Sequence, residues 1–123
     1  MANPNLVGIS TVLGKTETKA LTTNAQVLVS NAASSNKVLK VNTIIVANID
    51  GGNAQDVTVN YYPEDDIGGT GVAIASTLSV PADSTVLVLD KNSSIYLEED
   101  RSIGALAGGN SDLVAIISYE EIS

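Results

Sequence analysis

The sequence contains no histidine, cysteine, phenylalanine or tryptophan, and its one methionine is Met1. Without histidine the chain lacks the commonest general base and the commonest metal ligand. Without cysteine it has no disulfide, no thiol nucleophile and no zinc site built from nitrogen and sulfur ligands. A Ser-His-Asp triad and a Cys-His pair are both excluded. Basic residues are also scarce, 6 against 14 acidic ones, for a net charge of −8. Nucleic acid needs a basic footprint, so this balance argues against it as a partner. An anionic membrane surface is disfavoured for the same reason. The acidic balance favours solubility and a basic partner surface. No apolar run approaches the roughly 20 residues that span a bilayer. Met1-Ala2-Asn3-Pro4-Asn5 lacks the basic start of a secretory signal.

What is present points to sheet. With 123 residues, 44% of them hydrophobic, the chain suits one domain with one core. That core must come from Val, Ile, Leu and Ala, helped by four Tyr. Branched aliphatics favour a pleated, half-buried surface, and the many Ser, Thr, Asn and Gly residues suit turns.

The apolar pattern has period two or comes in short runs. It predicts strands over Gln26–Ser30, Val38–Ile49, Asp56–Tyr62, Val72–Ser79, Thr85–Leu89, Ser94–Leu97, Arg101–Leu106 and Leu113–Tyr119. The last is apolar on both faces, hence central. Leu6–Leu13 and Lys19–Thr22 are weaker candidates. Within the longest segment, alternation puts Leu39, Val41, Thr43, Ile45, Ala47 and Ile49 on one face; the other carries Lys40, Asn42 and Asn48 but also Ile44 and Val46, so its far half is expected to be covered. Val57, Val59 and Tyr61 face one side of their strand, and Thr58, Asn60 and Tyr62 the other. Asp50-Gly51-Gly52-Asn53 suggests a hairpin. Pro63–Gly71 is the longest loop, and Pro81–Ser84 and Gly108–Asp112 are turns. Short helical turns fit only at Ala73–Ser76 and Ala105–Ala107. The expected fold is an all-β, single-domain β-sandwich, jelly-roll or immunoglobulin-like, of eight or nine short antiparallel strands. Residues 14–123 form the sandwich and residues 1–13 an N-terminal arm.

The remaining candidates for chemistry are weak, and no catalytic, cofactor-binding or metal-ligating residue is assigned. Gly68-Gly69-Thr70-Gly71 has no Lys after it and is not a phosphate-binding loop. Three acidic clusters occur: Glu64-Asp65-Asp66, Glu98-Glu99-Asp100 and Glu120-Glu121. Carboxylates across a cleft suit glycosidase chemistry, and carboxylates with loop carbonyls suit Ca²⁺. A solvated acidic loop is the plain alternative. Asp50 to Asp56 does not match an EF-hand loop. Tyr62, beside Pro63, is either an exposed interface anchor or a core-edge residue. Tyr96 and Tyr119 are expected to cap the sandwich with their hydroxyls near water.

Several segments in order carry a resemblance. They are Asn42-Thr43-Ile44-Ile45-Val46-Ala47-Asn48-Ile49-Asp50, then Leu78-Ser79-Val80-Pro81-Ala82-Asp83-Ser84, then Ser94-Ile95-Tyr96-Leu97-Glu98-Glu99-Asp100, then Asp112 to Ile122. This order resembles small structural proteins of tailed bacteriophages, especially those of marine and cyanobacterial hosts. Asp100 stands where that pattern has Gly. The resemblance implies a non-enzymatic virion component without cofactors, made in the host cytoplasm. Its leading role is a capsid decoration (cement) protein on the phage head, a homo-oligomer with a trimer favoured, and the major capsid protein as partner. The arm would then supply Leu6, Val7, Ile9 and Val12 as contacts, with Tyr62 and Pro63 as a further interface. A tail, baseplate or fibre-associated protein is an alternative. A carbohydrate- or Ca²⁺-binding module using Asp65, Asp66 and Tyr62 is another.

Overall fold

The computed structural model describes residues 3–123. Met1 and Ala2, the first two residues of the expected arm, lie outside the described residues. Nine strands follow in order: β1 (Val12–Ala20), β2 (Gln26–Asn31), β3 (Val38–Asn48), β4 (Gln55–Tyr62), β5 (Val72–Val80), β6 (Thr85–Leu89), β7 (Ile95–Leu97), β8 (Arg101–Ala107) and β9 (Leu113–Ile122). They form two antiparallel sheets. One runs β1-β9-β3-β6, with the short β7 also on β3; the other runs β2-β8-β4-β5. Every connection crosses between the sheets except β4–β5 and β6–β7. The strand orders β1-β9-β3-β6 and β2-β8-β4-β5, facing each other, make a jelly-roll, which decides between the two expected sandwich types.

The core lies between the sheets and is almost wholly aliphatic. Ile44 and Val46 of β3, Val57 and Val59 of β4, Ile103 of β8 and Ile117 of β9 are all buried in it. β9 is central, between β1 and β3, as its apolar run predicts.

β3 departs from simple alternation. Leu39 and Val41 are in the core, but the next buried residues are Ile44, Val46 and Asn48, and Ile49 is 63% exposed. The register against β9 passes from Val41↔Tyr119 to Thr43↔Ser118. Asn42 is therefore an extra residue, a β-bulge, and every later side chain changes face. The bulge thus puts Ile44 and Val46 in the core, in line with the expected cover over the far half of their face, and turns Ile45, Ala47 and Ile49 away from the face of Leu39 and Val41.

Other expectations also change. Asp50–Asn53 is a crossover between the sheets and not a hairpin: β4 already pairs with β5 and β8, and β3 with β9, β6 and β7. Ala73–Ser76 and Ala105–Ala107 lie within β5 and β8. The one helical turn among the described residues is the 3₁₀ turn Lys91–Ser93, where the Asp90 side chain accepts from Asn92 N–H. The two weak N-terminal candidates give way to one strand, β1, which starts at Val12 inside the expected arm. All nine of its residues are exposed, so burial imposed no apolar pattern on it. Asp100 has φ 61°. This is the left-handed region that Gly favours and Asp tolerates, so the turn after Glu99 keeps a glycine-like backbone.

Candidate functional site

The sequence-predicted contact residues fall on two neighbouring segments. Leu6 is exposed, Val7 is 95% exposed and Ile9 is half-buried. A turn displays them: Gly8 N–H donates to Asn5 O at 2.9 Å, and Val7 N–H donates to Asn5 Oδ1 at 3.0 Å. Asn3 ties the start of this segment to the turn before β8. Its Nδ2 donates to Glu98 Oε2 at 2.9 Å, and its Oδ1 accepts from Glu99 N–H at 3.1 Å. Thr11 closes the other end by pairing with Ser123. Val12 follows as the first residue of β1 and is exposed. Pro63 is exposed and reaches the same turn, because its carbonyl accepts from Arg101 Nη1 at 3.0 Å.

Tyr62 is different. It is only 8% exposed. A Cβ built on Gly104 would lie 3.2 Å from its ring, and one built on Gly71 would lie 2.9 Å from it. The ring thus lies over two residues that have no side chain, and it is not presented as a surface anchor. Of the two readings of Tyr62, the burial favours the core-edge residue over the exposed anchor.

The acidic clusters cap loops. Asp65 Oδ2 accepts from Ala33 N–H at 3.3 Å, and Asp100 Oδ1 accepts from Asp65 N–H at 3.1 Å. Asp66 N–H donates to Ser30 Oγ at 2.9 Å. Glu99 is buried and accepts from Asn36 N–H. Such bonds satisfy backbone donors in tight connections. Gly68–Gly71 belongs to the connection between β4 and β5, with Gly69 at φ 78°.

A Ser-x-x-Lys spacing, Ser34 to Lys37, escapes the sequence reading although it is plain in the sequence. Its Lys37 Nζ is engaged by Glu121 Oε1 at 2.8 Å.

The feature that alternation did not reveal is the flank formed by β1 and β2. β2 is the edge of the second sheet on this side and β1 the edge of the first. Beneath β1 opens a cleft of ≈ 380 Å³, lined by Glu17, Lys19, Val29, Ser30, Ile117 and Tyr119 among others. The register sets Lys15, Glu17 and Lys19 opposite Tyr119, Ile117 and Ala115. Cross-strand partners share a face, so these three charges point inward. The signal was legible: Lys15-x-Glu17-x-Lys19 alternates charge with Gly14, Thr16, Thr18 and Ala20.

Electrostatics on this flank are local. Tyr119 Oη donates to Glu17 Oε2 at 3.1 Å. Burial, then the bond to Glu17, pushes the phenol up to about 12. Glu121 receives Lys37 at 2.8 Å and Lys15 at 2.9 Å. Its bonds to Lys37 and then Lys15 hold the carboxyl below its ordinary value. The opposite flank, formed by β5 and β6, carries Val72, Leu78 and Leu87 as exposed apolar residues.

The sequence matches no protein-family model and no curated protein. The structure is similar to one solved from Bacillus endospore appendages, described as a novel family of disulfide-linked pili. The TM-score is 0.50 at 15% sequence identity, covering 91% of this chain and 85% of that one. At that identity the likeness is one of fold.

Proposed function

We propose that this chain is a non-enzymatic structural subunit that acts by packing into a multi-copy assembly. The observation that carries the proposal is the pair of open flanks on one jelly-roll. β1 and β2 end their sheets on one side, and β5 and β6 on the other. Unpaired strand edges are templates for association, and β2, β5 and β6, unlike β1, contain no charged residue to oppose it. The absence of histidine and cysteine supports a role without chemistry, and so does the use of carboxylates as loop caps.

Two finer forms of this role have separate support. The Bacillus appendage likeness, a shared fold, favours a polymer. Disulfide linkage of the kind described there would need cysteines that this chain does not have, so its contacts would be non-covalent. The ordered segments from Asn42 to Ile122 favour a capsid decoration protein on a virion head, a trimer bound to the major capsid protein. The exposed Leu6, Val7 and Val12 and the exposed Pro63 suit either form.

The test is size-exclusion chromatography with light scattering across a range of protein concentrations, followed by electron microscopy. Filaments favour the polymer. Discrete trimers that bind purified phage heads favour the decoration protein. A chain that stays monomeric at high concentration and binds no particle removes the structural-subunit reading.

A further inference from the structure

We propose that β1 is an exchangeable strand, which leaves its own β9 and pairs in the same register with β9 of a second copy of this chain. This rests on the assembly role above. None of the nine β1 residues is buried, so the strand gives no side chain to the core. It is held by the ladder running from Val12↔Ile122 to Ala20↔Val114. Three side-chain contacts add to it: Lys15 to Glu121, Thr16 to Ser118 and Glu17 to Tyr119. The next residue, Leu21, is fully buried, and its N–H donates to Leu113 O at 2.9 Å. The boundary between detachable strand and fixed core therefore falls between Ala20 and Leu21.

Releasing β1 costs little apolar contact but leaves a row of unpaired backbone groups along β9. Those groups need partners. Any strand can fill a ladder, but only a copy of β1 also restores all three side-chain contacts. The alternative, stacking a foreign strand against the free side of β1, meets Lys15, Glu17 and Lys19 pointing inward. Inward charges on an edge strand oppose that kind of association. Exchange instead returns each charge to a partner identical to its present one. It creates no new kind of contact, so concentration and the hinge at Ala20–Leu21 set its extent.

The lack of cysteine makes the probe clean. Thr16 Oγ1 and Ser118 Oγ lie 3.3 Å apart, near enough for a disulfide between the substituted side chains. Full-length Thr16→Cys and Ser118→Cys chains are unfolded together, refolded at high concentration and oxidised. The expected product on a non-reducing gel is a dimer with one chain of each kind, absent when either variant is oxidised alone. In parallel, the double variant T16C/S118C is oxidised when dilute, which locks β1 within one copy and reports an intact fold. After concentration it is expected to stay monomeric by light scattering while the unsubstituted chain assembles. If the locked variant assembles as the unsubstituted chain does, or no mixed dimer forms while that chain assembles, exchange is overturned and the assembly role stands. If nothing assembles and no mixed dimer forms, both are overturned.

Discussion

Asn31 and Asn48 end their strands with the same bonding pattern, each buried amide bridging from one sheet to the other. Asn31 closes β2; its Nδ2 donates to Lys37 O at 2.9 Å and to Leu97 O at 3.0 Å. Asn48 closes β3; its Nδ2 donates to Asn53 O at 3.0 Å and to Val80 O at 2.9 Å. Their carbonyl oxygens are used too, by Ser35 Oγ at 2.6 Å and by Asp50 N–H at 2.9 Å. Both side chains are buried, so truncation strands carbonyl groups without water. Asn31→Ala and Asn48→Ala are each expected to lower stability by about 1–3 kcal/mol. Urea unfolding checks this: the midpoint falls while the slope stays constant. A loss near zero for both would mean that the crossovers are held by something else.

The bulge at Asn42 makes a sharper comparison. Ile44 and Ile45 are adjacent and chemically identical, yet Ile44 is in the core and Ile45 is only partly covered. Ile44→Ala is expected to cost about 2–5 kcal/mol, the usual loss for a buried aliphatic. Ile45→Ala is expected to cost well under half as much. Equal losses, or the reverse order, in denaturant melts would place the bulge elsewhere in β3.

Why some features were legible and others were not follows from these residues. Val57 and Val59 of β4 and Leu113, Ala115 and Ile117 of β9 alternate against the core, so they could be read directly. The cover over Ile44 and Val46 was legible too, as apolar residues on an otherwise polar face, but the switch of face at Asn42 was not, because a one-residue bulge leaves no compositional mark. β1 was hidden for the opposite reason: exposed on both faces, it never needed an apolar side. Its charge alternation at Lys15, Glu17 and Lys19 was visible but has no meaning until the register with β9 is known. Tyr62 was ambiguous because its ring lies against Gly71, at the far end of the following loop, and against Gly104, on another strand.

Gly104 offers a third test. A Cβ there would sit 2.6 Å from Ile67 Cγ2, 2.9 Å from Gln26 O and 3.2 Å from Tyr62 Cε2. Gly104→Ala must therefore displace the loop over β8 or the β2 backbone. The expected cost is about 1–3 kcal/mol, typical of overpacking. Adding Ile67→Ala removes one clash but leaves the Gln26 carbonyl, so stability should recover only in part. Thermal melts of the unsubstituted chain and these two variants decide it; full tolerance of Gly104→Ala would mean that Tyr62 does not lie against β8.

The β1 flank should respond at both ends of the pH scale. Glu121 is held below its ordinary value by Lys37 and Lys15. Its folded form is thus favoured while the carboxyl is ionised, above the unfolded value of about 4.3. That contribution is lost as pH falls through the lower folded value. Urea midpoints of the unsubstituted chain and Glu121→Gln, measured from neutral pH downward, should converge in acid. Tyr119 works in the other direction. Its folded value of about 12 lies above the ordinary phenol, so the protonated hydroxyl bonded to Glu17 is the form that folding favours. The stabilisation is complete below about pH 10, where the unfolded phenol titrates, and is lost as pH rises through the folded value. Absorbance titration of phenolate should show one late step in the unsubstituted chain that is missing in Tyr119→Phe. A late step that survives that substitution would assign it to another tyrosine and remove the Glu17–Tyr119 bond as a clasp on β1.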